Sequence, residues 1–468
     1  MAPRQMKVLL VVPPSRSTVV EIFGTGGPPL NLAYLASALE SEGHEVRIVD
    51  SLALGYGLRE LGQEVRSFDP DVVGITATTP AIYRAYEVAE LVKAISPDCV
   101  VVLGGPHATF ASSEVLSDCP HVDVVVRGEG EMTLCDVVNR LARGSGLKGV
   151  LGITHRHGGT IRHEPPRPLV KDIDALPWPA YHLLPMDRYE FEGVRFGVML
   201  TSRGCPYRCI FCSSSKLMGK VWRARSPEDV VEEARLLAEE YRIRELEFLD
   251  DTFTLDMRRA RRIADLLVEE GLDMNWSCSS RANTISEELA LRLRRAGCHS
   301  IYLGVESASQ ETLNFLKKGI TVEQVLDAFR ALRKADLNIV ATFILGIPCE
   351  TKDMMVRTIR FAKKMNPTLA QFTIFTPYPG TEAYEEARRK GLLLTRDWSK
   401  YDTLTPVLKH PYVSPREIMR LFYRAYLSFY TSLGFLLNAI RRRLLPFLIR
   451  GLKGIITALR NYLIGPPG

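Results

Sequence analysis

No window of this 468-residue chain reaches the ~18 uninterrupted apolar residues that suggest a membrane span. The opening residues lack the charged start, apolar centre and small-residue cleavage site of a secretory signal. The chain is therefore read as cytoplasmic, where its nine cysteines are not a disulfide framework. Low-complexity blocks and fixed-period repeats are missing. So is a G-x-G-x-x-G after the first apolar run, which weakens a dinucleotide reading. Acids are missing from residues 434–468, which hold Arg441, Arg442, Arg443, Arg450, Lys453 and Arg460. Those six cations match the whole formal charge of +6, so the preceding chain is balanced. Aromatics are not interleaved with them as a stacking platform would need, and nucleic acid is not an expected partner.

What is present is an ordinary globular composition, 46% hydrophobic and 24% charged, long enough for two or three domains. Runs rich in valine and isoleucine at 6–12, 45–50, 71–77, 99–105 and 122–128 alternate with helical patterns such as 29–43 and 82–96. Continuous apolar runs suit parallel strands covered on both faces. Residues 1–150 are thus expected to form a doubly wound, Rossmann-like α/β domain with its ligand at the strands' carboxyl ends. Pro165, Pro166, Pro168, Pro177, Pro179 and Pro185 make 151–194 a stiff linker. Six more strand runs, near 195–201, 244–249, 274–279, 299–305, 339–345 and 369–375, predict a partial (β/α)6 barrel of the TIM type over 195–390. Its chemistry belongs on the loops after the strands. A helical region, 391–433, and a basic amphipathic tail, 434–468, complete the chain. Pro446 breaks that tail in two.

Three of the nine cysteines fall in "CPYRCIFC", residues 205–212, directly after the first barrel run. Thiolates spaced C-x3-C-x2-C suit zinc or an iron–sulfur cluster. Structural zinc needs a fourth ligand, and the nearest histidine and next cysteine are His182 and Cys278. Three ligands, Cys205, Cys209 and Cys212, favour a four-iron cluster with one iron left open.

The motif resembles the signature of radical S-adenosylmethionine enzymes, with Phe211 as the aromatic beside the third cysteine. The resemblance implies a 4Fe–4S cluster whose open iron binds S-adenosylmethionine and cleaves it to methionine and a 5′-deoxyadenosyl radical. It covers about 195–390 and implies cofactor contacts on further strand ends. Asp250 and Asp251 of "EFLDDTF" would meet the methionine amine, and Arg281 of "CSSRAN" its carboxylate. Glu306 and Ser307 of "LGVESAS" would reach the ribose, and Gly346 and Ile347 of "ILGIPCET" the adenine. Cys349 stands where relatives usually have glycine.

With such a barrel, the first domain resembles the cobalamin-binding domain of the cobalamin-dependent radical S-adenosylmethionine group. The resemblance assigns Pro29 of "GGPP", Thr76 and Thr78 of "TATTP", Gly104 and Gly105 of "GGPHAT", and Gly128 and Glu129 of "RGEGE" to the cofactor's edge. The Asp-x-His-x-x-Gly of domains that ligate cobalt is replaced by "PPSRSTV", 13–19, which leaves cobalt's lower face without that histidine; His107 is a candidate substitute. The activity expected is methylation of an unactivated carbon, with radical cyclisation, ring contraction or oxidation as alternatives and a non-enzymatic cobalamin or redox sensor as another class. No residue is assigned to hydrogen abstraction itself. Expected partners are a lipophilic small molecule such as a lipid or porphyrin, an external electron donor of the ferredoxin or flavodoxin type, and the cytoplasmic membrane face. The tail's unopposed cations among Leu, Ile and Phe are the interfacial signature behind that last expectation.

Overall fold

The computed structural model describes residues 4–14, 27–191 and 193–442. In them the two alternations of the sequence become two sheets. The first holds β1 (Lys7–Val12), β2 (Glu45–Asp50), β3 (Val72–Thr76), β4 (Val100–Gly104), β5 (Val124–Val126), β6 (Ile153–His157) and β7 (Thr160–His163). Their order is β2-β1-β3-β4-β5-β6-β7, and the first five in sequence are parallel. Val8, Leu9, Leu10 and Val11 have no exposed surface, as helices on both faces of a parallel sheet require. The strand order reverses at β1, between β2 and β3, and a crevice opens there at the carboxyl ends.

The hairpin β6–β7 extends this sheet antiparallel beyond β5. The first sheet therefore runs to His163, past the boundary expected at 150, and part of the expected 151–194 linker is strand. Its first strand reads ITHRH, with one large apolar residue, so no apolar run marked it. The proline-rich remainder is docked rather than free. Tyr181 and Tyr189 are buried; Tyr181 donates its hydroxyl to Glu233 Oε1 (2.6 Å) and Tyr189 to Asp50 Oδ2 (2.8 Å). Prolines keep the strap extended, and two buried tyrosines satisfied at their polar tips pin it.

The second sheet contains β8 (Glu190–Phe191), β9 (Val194–Met199), then, past the short ribbon of β10 (Ser202–Arg203) and β11 (Arg223–Ala224), β12 (Glu245–Phe248), β13 (Asn275–Ser280), β14 (Cys298–Glu306), β15 (Asn338–Leu345) and β16 (Leu369–Ile374). The order β16-β15-β14-β13-β12-β9-β8 makes six consecutive parallel strands with β8 antiparallel at one edge. β9 and β16 do not pair, so the barrel is partial, as the six runs predicted. The covering helices carry one apolar stripe each. Met257–Glu269 buries Ala260, Ile263, Ala264 and Leu267, and Asp256 caps its first turn by accepting from Arg258 and Arg259 N–H (2.8 and 3.1 Å).

The region after β16 closes the molecule. Helix Pro415–Tyr430 lies on β16, and Tyr426 and Tyr430 donate to the carbonyls of Phe372 and Ala370 (3.0 and 2.9 Å). Trp398, Tyr401 and Val407 sit in the first domain's core, where Trp398 meets His107 edge-on with ring centres 5.0 Å apart. Among the described residues no helix is long and apolar enough to cross a membrane. At Gly380 the chain takes φ +82° beneath Phe110 of the first domain, and a Cβ there would overlap the Phe110 ring. Gly380→Ala should therefore cost about 1–3 kcal/mol by overpacking at a left-handed position. Urea denaturation checks this, and a variant as stable as the parent would contradict the seating of Phe110.

Candidate functional site

The loop after β9 is built around a buried carboxylate. Asp250, at the end of β12, accepts from Thr201 N–H (2.7 Å), Ser202 N–H (3.2 Å), Thr201 Oγ1 (2.6 Å) and Ser202 Oγ (2.7 Å). Arg259 adds a bond to the Thr201 carbonyl (2.9 Å). From this anchor the chain enters the cysteine loop, where Cys205 N–H reaches the Gly219 carbonyl (3.1 Å) and Ile210 N–H the Leu316 carbonyl (3.1 Å). Arg281 stacks on Tyr207, 3.4 Å from its ring centre, and points Nη1 at Cys209 Sγ (3.8 Å). Lys318 stands 5.9 Å over the Phe211 ring and pairs with buried Glu306 (2.5 Å).

All nine cysteines are unpaired, and Cys205, Cys209 and Cys212 are half-buried. Burial pushes the Cys205 thiol up to about 11 against a lowering backbone bond at Tyr207, and burial raises Cys212 as well. The thiols are near enough to feel one another's charge, and Asp251 raises both Cys205 and Cys212. Yet no three His, Cys, Asp or Glu among the described residues converge on a point fit for a single ion. Three soft thiol donors on one loop are the donor set of an iron–sulfur cluster.

A cavity of about 670 Å³ opens at the switch point of the first sheet. Pro29, Thr76, Thr78, Gly104, Gly105, Gly128 and Glu129 all line it. Gly105, at φ +96°, lets β3 and β4 close tightly there, since a Cβ would come within 2.7 Å of the Ala77 carbonyl. Asn31 Nδ2 donates to Thr76 Oγ1 (2.9 Å) and fixes the second turn. The opposite wall comes from the barrel, through Leu200, Arg203, Leu217, Met218 and Leu249. The cavity and the cysteine loop thus share a wall, and its apolar turns and Gly-based close approach fit the edge of a large flat cofactor such as cobalamin.

Residues 199–362 match the Radical SAM superfamily, and residues 16–138 match the B12 binding domain. An uncharacterised methyltransferase of Pyrococcus horikoshii is 47% identical over 96% of this chain and 98% of its own. The anaerobic magnesium-protoporphyrin IX monomethyl ester cyclase of Cereibacter sphaeroides is 32% identical over 91% of this chain and 70% of its own. Among solved structures, the radical S-adenosylmethionine methyltransferase TsrM of Kitasatospora setae, with cobalamin and a [4Fe–4S] cluster bound, shares the fold. Its TM-score is 0.72 at 21% identity, over 90% of this chain and 82% of that one. The chain belongs to the cobalamin-dependent radical S-adenosylmethionine enzymes. Its cofactors are the 4Fe–4S cluster, S-adenosylmethionine and cobalamin of that family. Enzymatic activity sets aside the sensor alternative.

Against that identification, several expected contacts sit elsewhere. Asp250 accepts four bonds from Thr201 and Ser202 and anchors the loop; the Asp251 carboxyl is bonded to Ser214. Arg281 spends its guanidinium on Tyr207 and the Lys318 carbonyl, which leaves its Nε unpaired rather than a free fork. Ser307 donates to Glu350 (3.0 Å). Glu306 is buried, at φ +64° and a register shift of β14, where Gly304 leaves room for its pair with Lys318. Gly346 packs under Ile418, and Ile347 joins Ile210, Leu316 and Phe211 in one apolar cluster, its carbonyl bonded to His410 Nε2 (2.9 Å). His107 lies outside the cavity lining. It is buried against Trp398 and Thr79 rather than in the cavity wall, and burial pushes it down to about 4. The expected turn at 13–19 lies mostly outside the described residues. Sequence patterns missed the barrel-side wall, since Arg203, Leu217 and Met218 bear no motif of the first domain. Glu131 of "RGEGE" also lines the cavity.

Glu350 yields a test of this packing. Its Oε1 accepts from Ser307, and burial pushes the carboxyl up to about 8 against lowering bonds from Ser307, Ile347 and Thr312. The folded chain then keeps a proton that the unfolded chain loses near the ordinary 4.5. The group's contribution is complete below that value and fades as pH rises through the window to about 8. Glu350→Gln, neutral throughout, should gain stability over the parent as pH climbs to about 8 and hold that gain above it. Urea denaturation across pH checks this; an unchanged slope would mean the carboxyl is ionised in the fold.

Proposed function

We propose that the chain is a C-methyltransferase acting on an unactivated carbon of a lipophilic molecule. Cys205, Cys209 and Cys212 hold the cluster, and the cavity lined by Pro29, Thr76, Thr78, Gly104, Gly105, Gly128 and Glu129 holds cobalamin. When bound, the cluster with S-adenosylmethionine supplies a hydrogen-abstracting radical, and cobalamin supplies the methyl group. The protein's own residues position and shield. Ile210, Phe211, Leu316 and Ile347 form an apolar shelf beside the cysteine loop that keeps water from a reactive centre. Lys318 and Glu306 form a buried ion pair beside the cysteine loop, which holds Lys318 over the Phe211 ring. The observation that carries the reading is the shared wall, Arg203 and Met218, between the cavity and the cysteine loop. A substrate in that gap would touch Leu200, Leu217, Met218 and Leu249, which favours an apolar molecule. The porphyrin cyclase among the relatives supports apolar substrates and keeps radical cyclisation as the second reading.

Delivery from a membrane surface fits the same substrate class. Helix Leu433–Arg441 buries Phe435 and Ala439 but leaves Leu433 (72%), Leu436 (41%), Leu437 (59%) and Ile440 (63%) exposed along one stripe. That stripe leads into residues 443–468, which lie outside the described residues. Arg442 is paired with Asp336 (3.0 Å), so it is not among the cations offered to lipid.

Reconstituted without oxygen with iron, sulfide and hydroxocobalamin, the protein should form 5′-deoxyadenosine from S-adenosylmethionine under a strong reductant. Alanine at Cys205, Cys209 or Cys212 should abolish this and the cluster's absorbance, while alanine at Cys99, Cys119, Cys135 or Cys298 should not. A full cluster in any of the first three variants contradicts the ligand assignment. Deleting 434–468 should release the protein from anionic vesicles at low salt, each cation being worth ~1 kcal/mol at such a surface. If the full chain ignores those vesicles, the membrane reading falls.

A further inference from the structure

Two acids of the turn "RGEGE" do more than line a cavity. Arg203 and Arg223 face each other across the β10–β11 ribbon, an arrangement of like charges that opposes pairing. The ribbon forms because the first domain inserts two carboxylates. Glu131 Oε1 pairs with Arg203 (2.6 Å), and Glu129 Oε1 pairs with Arg223 (2.8 Å) and lies 3.5 Å from Arg203. All four side chains are more than nine-tenths buried. Arg203 also lies 5.1 Å over the ring of Tyr34, from the helix Leu30–Ser41. On the barrel side, Arg223 donates to the Met218 carbonyl (2.6 Å), and Cys205 N–H reaches Gly219 next to it. Arg203 itself is two residues from Cys205.

Buried ion networks of this kind add little net stability once desolvation is counted, so stability does not explain the placement. Position does, because Glu129, Glu131, Arg203 and Met218 all face the cavity read as the cobalamin site. We propose that Glu129 and Glu131 couple cobalamin binding to the cluster: they hold Arg203 and Arg223, and through them the loop carrying Cys205, in an arrangement that either occupied site favours in the other. The acids are positioning residues that act through the arginines. This coupling rests on the cofactor assignments above.

The test is linkage. Hydroxocobalamin affinity is measured by absorbance titration on the full chain with and without the assembled cluster. The cluster-loaded protein should bind at least about fivefold more tightly, and reciprocity demands that cobalamin raise the cluster's equilibrium affinity for the protein by the same factor. In Glu131→Gln, an isosteric change, the ratio should fall to about one, and Arg203→Lys, which keeps charge but loses the fork, should lie between. A substitution that merely loosened packing would weaken both forms alike and preserve the ratio; that outcome overturns the coupling. So does equal affinity of the two forms in the unsubstituted protein, a result that needs no variant to fold. Absence of binding in both forms would overturn the cavity assignment itself, and the coupling with it.

Discussion

The carboxylate of Asp250 decides where the chemistry can be. It is buried at the end of β12 and satisfied by two backbone N–H groups and two hydroxyls of Thr201 and Ser202. A buried anion is tolerated when such donors replace its hydration, and it then fixes whatever supplies them. What it fixes is the start of the cysteine loop. From that point Arg203 is aimed at the first domain, the Cys205 backbone N–H at the Gly219 carbonyl, and Arg281 reaches the Cys209 thiol.

The second constraint is apposition of the two sheets' carboxyl ends. Each sheet alone would open its turns to water. The strap bearing Tyr181 and Tyr189 docks one side of the junction, and Trp398 with Phe110 beneath Gly380 docks the other. Between these two fastenings the crevice at β1–β3 is roofed by Leu200, Arg203, Leu217 and Met218 of the barrel. A methyl donor and a radical source can act on one carbon only if both reach it, and the proposed function puts both at this junction.

The legible parts of this protein are those where one residue type has one physical use. Val8 to Val11 could be read as a doubly covered strand because nothing else needs four consecutive apolar residues there. Seven residues named on the first domain's turns meet at one cavity, since glycines and small hydroxyls at strand ends have few other reasons to cluster. Charged and hydroxyl residues were harder, because each has several satisfactory partners. Asp250 found four donors on a neighbouring loop, Ser307 found Glu350, and His107 found Thr79 and Trp398, none of them close in sequence. The strand at Ile153–His157 escaped notice because two of its three buried positions are filled by Thr154 and His155 rather than by apolar residues. The barrel's share of the cavity wall was beyond local patterns altogether, being a product of how two domains meet.

The central claim is that cluster and cobalamin share one enclosed space, and their magnetism measures it. Electron paramagnetic resonance of the protein carrying both reduced cluster and cob(II)alamin tests whether the two spins interact. Facing sites across the Arg203–Met218 wall predict a dipolar broadening or splitting of the cobalt signal that vanishes when the cluster is oxidised. Two unperturbed signals, each identical to that of the protein carrying one cofactor alone, would contradict the shared cavity and the function built on it.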